Sequence, residues 1–110
     1  MVIKQTGYFG KWLQGLRDKN DMRRLVAAIE VASLCGGFMD VKYTGRGIYE
    51  ARFHFGPGYR IYYASRGEQI ILLVAGGDKG SQRRDIGNAR RINALLLEGR
   101  EDDFRDGSEG

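Results

Sequence analysis

At 110 residues the chain is one domain with a modest core and too short for two, and its 42% hydrophobic and 29% charged residues are ordinary for a soluble globular protein. One cysteine, Cys35, excludes an internal disulfide, and one histidine beside it is too few for a structural zinc cluster. Residues 1–98 carry 16 Lys and Arg against 9 Asp and Glu, a net +7 that attracts polyanions, whereas residues 99–110, at −3, read as a polar, disordered tail.

The opening MVIKQT fits a short first strand. Thr6 stands where a helix cap is needed, ahead of Phe9, Trp12, Leu13 and Leu16 at i, i+3, i+4 and i+7. Lys19-Asn20-Asp21 breaks that helix, and Asn20 or Asp21 caps a second one that gathers Met22, Leu25, Val26, Ile29 and Ala32 on one face. Cys35-Gly36-Gly37 ends it, a glycine supplying the left-handed conformation. The two helices are expected to form a hairpin, with Trp12 and the methionines in the core. GFMDVKYTGRG then reads as irregular, with Gly45 and Gly47 as turn residues.

Residues 48 to 55 alternate, placing Ile48, Glu50, Arg52 and His54 on one face and Tyr49, Ala51, Phe53 and Phe55 on the other. GPG turns the chain, YRIYYA returns, and SRGEQ turns it again. IILLVA is apolar at every position, the pattern of a central strand covered on both sides. GGDKGSQ leaves the sheet, and residues 82–97 form a last helix with Ile86, Ala89, Ile92, Leu96 and Leu97 inward. The predicted order is β-α-α-β-β-β-α, an α+β domain over residues 1–98 whose last three strands make an antiparallel meander. No apolar run approaches the roughly 18 residues of a membrane span and no secretory signal opens the chain, so a cytoplasmic protein is expected.

Arg52 and His54 share a strand face, and Arg60 joins them if the hairpin register allows. Such a group offers bidentate phosphate contacts and an imidazole that titrates near neutral pH. Lys79 follows the central strand, where two glycines let backbone approach a ligand. The plainer alternative is a solvated sheet face, the commoner outcome for arginines in strands. GGDKGSQ lacks the spacing of a P-loop, Ser65 and Ser81 lack a nucleophile's context, and the cations of the last helix (Arg83, Arg84, Arg90, Arg91) suit a solvated face before a nucleic-acid contact.

The stretch EARFHFGPGYRIYYASRGEQIILLVAGGDKGSQRRDI, with WLQGLRD before it, resembles the "addiction module killer protein" group, HigB-like toxins of the RelE/ParE superfamily of toxin–antitoxin systems. The resemblance spans about residues 5–97. It implies a small ribosome-dependent mRNA endonuclease that uses the substrate's own 2′-hydroxyl, without metal or cofactor, and is neutralised by a cognate antitoxin bearing a helix-turn-helix domain. By that resemblance Arg60 and Lys79 hold phosphate and transition-state charge, His54 moves a proton and Arg52 orients RNA, while Gln82, Arg83, Arg84 and Tyr62 add RNA contacts. Ile86 stands where such enzymes carry a late Tyr, and Glu50 where a Lys is expected; Asp85 or Tyr62 could replace the missing phenol. ParE-like members share the fold but inhibit DNA gyrase without cutting RNA, which makes that the alternative.

Overall fold

The computed structural model describes residues 1–99 and, as strand backbone, 104–106. Strand β1 (Val2–Thr6) leads into α1 (Gly7–Gln14) and α2 (Lys19–Cys35). Strands β2 (Val41–Gly45), β3 (Ile48–Arg52), β4 (Tyr59–Ser65) and β5 (Ile70–Asp78) follow. A 3-10 turn (Lys79–Ser81) delivers α3 (Gln82–Leu97), and β6 (Phe104–Asp106) comes last. The sheet runs β2-β3-β4-β5-β1-β6, with β1 parallel to β5 and β2 to β5 an antiparallel meander. The expected α+β class holds, and the expected β-α-α-β-β-β-α order is present with two strands added, β2 before the expected meander and β6 after α3.

Thr6 caps α1 as expected. Its fully buried Oγ1 accepts from Phe9 N at 3.0 Å and donates to Val74 O at 2.6 Å, so one hydroxyl ties the helix to the sheet. Asp18, rather than Asn20 or Asp21, caps α2, accepting from Asp21 N at 3.0 Å. That leaves Asp21 Oδ2 to accept from Tyr59 Oη at 2.9 Å. Gly36 closes α2 at φ +85°, the left-handed conformation its lack of a Cβ permits.

Helices cover both faces of the sheet. Phe9, Leu13 and Leu25 pack with Ala51, Tyr59, Ile61, Tyr63, Ile71 and Leu73 under α1 and α2. Ala89 and Ile92 of α3 pack with Ile48, Tyr62, Ala64, Leu72, Val74 and Ala75 on the other side. IILLVA is therefore apolar throughout because both sides of β5 meet core. Between Tyr62 and Tyr63 the β4–β5 register slips by one, so Val74 bulges and its carbonyl is free for Thr6.

Four expectations need correction. GFMDVKYTGRG contains β2, an edge strand with Lys42 and Tyr43 exposed, which therefore lacks a legible apolar alternation. Met39 is 95% exposed, Leu97 is 67% exposed, and Val26 is exposed too, so these three are not core. The alternating strand over 48–55 stops at Arg52. In the tail read as disordered, residues 104–106 pair antiparallel with β1; the rest of the tail lies outside the described residues. No helix among the described residues is long and apolar enough to cross a membrane.

Candidate active site

The register sets Arg52 directly opposite Arg60 and Glu50 opposite Tyr62, so all four begin on one face. That face is not a solvated surface. Alpha helix 3 covers it, leaving Glu50 and Tyr62 fully buried and Arg60 7% exposed. Alternation along a strand reports a change of face, and when both faces are covered it does not report exposure.

Arg60 emerges at the rim. Its Nη1 donates to Gly58 O at 3.2 Å and Tyr59 O at 3.1 Å, which bends the side chain back over the GPG turn. Its Nε lies 4.0 Å from Glu50 Oε2, an oxygen that also accepts from Gln82 Nε2 at 2.7 Å. Gly58, at φ +81°, lies close to Arg60 Nη1 and Lys79 Cβ. Lys79 itself is exposed. His54, Gly56, Pro57, Gly58, Arg60 and Lys79 line one open cleft of about 340 Å³. Three of the four predicted central residues thus share one concavity, large enough for a phosphodiester and its sugar.

Arg52 does not join them. Its Nε and Nη2 donate to Asp40 Oδ1 at 3.2 and 2.8 Å, while His54 Nε2 lies 2.5 Å from Asp40 Oδ2. Hydrogen bonding from His54 first, and from Arg52 second, holds the Asp40 carboxyl below its usual range. One expected cation, Arg52, and the His54 imidazole are therefore joined to one carboxylate, and Arg60 lies near another.

The expected RNA contacts divide. Arg83 and Arg84 are exposed on the first turn of α3. Arg83 borders a separate concavity with Gln82, Ile86, Gly87 and Arg90, rather than the cleft of His54. Gln82 is engaged with Glu50. Tyr62 is corrected outright: it is fully buried, and burial with the Glu50 charge beside it pushes its phenol far up, so it neither meets RNA nor donates a labile proton. Asp85, the other possible substitute, is 8% exposed and accepts from Ser81 Oγ. The glycines of GGDKGSQ also serve the core instead of a ligand. A Cβ on Gly76 would overlap the Trp12 ring, and one on Gly77 would overlap the Asp85 carboxylate. Asp40 was the residue missed, since it lies 14 positions before His54 in a stretch without periodicity. Among the described residues no three His, Cys, Asp or Glu side chains gather as metal ligands.

Over 90 residues the chain is 35% identical to a protein of Haemophilus influenzae (strain ATCC 51907 / DSM 11121 / KW20 / Rd) whose description is "Uncharacterized protein"; the match takes in 82% of this chain and 90% of that one. The chain belongs to that protein's family. No family model matches the chain. An alignment covering nine-tenths of the relative means that the two share one domain and differ little in length.

Proposed function

We propose that the chain is the toxin of a toxin–antitoxin module, a HigB-like member of the RelE/ParE superfamily that cuts mRNA at the ribosome in the cytoplasm. An antitoxin with a helix-turn-helix domain would neutralise it. The observation that carries this reading is the shared cleft of His54, Arg60 and Lys79. A phosphodiester in that cleft meets two cations and an imidazole together.

In the proposed reaction the RNA 2′-oxygen bonds to phosphorus, the bond from phosphorus to the 5′-oxygen breaks, and a 2′,3′-cyclic phosphate forms. His54 takes the proton of the 2′-hydroxyl, and the departing 5′-oxygen gains one from water. Arg60 and Lys79 stabilise charge on the phosphoryl oxygens as it develops. The substrate supplies its own nucleophile, so the step calls on no metal or cofactor. Arg83 and Arg84, exposed on α3, suit sequence-independent phosphate contacts further along the message.

One observation favours a second reading. Asp40 offsets Arg52 and engages the His54 ring, and Glu50 approaches Arg60, which suits a ParE-like inhibitor of DNA gyrase that needs no convergent free cations. Inducing the protein, mapping mRNA 5′ ends and measuring plasmid supercoiling separates the two. Cuts within translated messages at unchanged supercoiling are the expected outcome; intact messages with altered supercoiling would establish the gyrase reading instead.

A further inference from the structure

We propose that Asp40 is a positioning residue that fixes the His54 ring for proton transfer, with Arg52 as the clamp on Asp40; this rests on the endonuclease reading above. His54 lies beyond the end of β3, and its side chain is 73% exposed, so neither strand pairing nor packing sets its rotamer. The Asp40 carboxylate does so. One oxygen meets His54 Nε2 at 2.5 Å, and the other accepts from Arg52 Nε at 3.2 Å and Nη2 at 2.8 Å. With Arg52 on Oδ1 and His54 on Oδ2, both oxygens of the carboxylate are engaged, which fixes its plane where a contact to one oxygen alone would leave it free to rotate. The Arg52 backbone N–H also donates to Asp40 O at 2.8 Å, anchoring both residues to one backbone position.

A neutral imidazole that donates its Nε2–H to a carboxylate as a hydrogen bond keeps the Nδ1 lone pair free to accept a proton. The two ring nitrogens point away from each other, so the accepting one faces away from Asp40. His54 also lines the cleft of Arg60 and Lys79. Asp40 thereby selects both the tautomer and the direction of the base without touching RNA. Arg52, on this view, acts through Asp40 and not on phosphate.

His54 is the only histidine, so nitrogen-15 NMR of the labelled full chain reads its ring without ambiguity. With the ring neutral, the wild-type protein should carry its proton on Nε2 alone. In Asp40→Ala the two nitrogens should move toward the averaged shifts of a tautomer mixture, and cleavage in a translating extract should fall on the order of 10- to 100-fold, mainly in kcat. Asp40→Asn, with one oxygen to serve two donors, should fall between. Ring shifts that do not change in Asp40→Ala overturn the proposal, as does faster cleavage, which would make the carboxylate a restraint on the cations. Ring shifts that move as expected when neither protein cuts RNA uphold the positioning and reject the nuclease.

Discussion

Tyr59 shows how one side chain joins the helical layer to the sheet. It is 6% exposed, its ring lies edge-on to Trp12 at 6.1 Å, and its hydroxyl donates to Asp21 at the start of α2. Burial first, and then the Asp21 hydrogen bond, push its phenol from 10.0 up to about 12. A raised folded value means that the fold favours the protonated form. The stability this contributes is therefore whole below pH 10 and is lost as the pH rises toward about 12. Tyr59→Phe keeps the ring and should cost about 1 kcal/mol near neutral pH, while weakening the loss of stability over that alkaline interval. Urea midpoints across pH test both; equal pH slopes for the two proteins would refute the assignment. At this scale the sequence was legible for Thr6 and Gly36 as helix caps, since capping depends on neighbours a few positions away, but not for the bond from Thr6 to Val74. It was silent on Asp40, Tyr62 and Gln82, because their partners lie 14, 12 and 32 positions off (His54, Glu50 and Glu50) and arrive only when the sheet closes.

Among the elements, β5 carries the clearest division between pattern and meaning. Its apolar run announced a strand covered on both sides, and helices do cover both faces. Its glycines were harder to read. Gly76 admits the Trp12 ring from α1 and Gly77 admits the Asp85 carboxylate from α3, so the residues that looked like a ligand approach are where two helices press on the strand. Gly76→Ala should destabilise by roughly 1–3 kcal/mol through overpacking against Trp12. A denaturation midpoint equal to wild type would show that the ring has room to yield. The bounds of α3 were legible at both ends, since a long amphipathic helix repeats its signal over several turns. Strand β2 was hidden for the opposite reason: five residues at a sheet edge, half exposed and ending in glycine, repeat nothing.

For the molecule as a whole, the meander and the closing helix were legible because they rest on local alternation and short turns. The placement of β1 beside β5, parallel and 68 positions away, was not, since no local feature encodes that long-range pairing. The two-sided covering of the sheet also decides the site. It removes Glu50 and Tyr62 from solvent and lets Arg60 reach only the rim, so the open cleft forms where the GPG turn and the start of the 3-10 turn meet. Lys79 is the cleft cation best suited to a test, being exposed and placed where substitution leaves the core alone. The most direct measurement is therefore the rate at which a translated message is cut in a reconstituted translation system by wild-type protein and by Lys79→Ala at matched concentration. Cutting by wild type, with a loss on the order of 10²-fold in the variant and an unchanged melting temperature, is the predicted result. Equal rates in the two proteins, or no cut from either, would contradict it.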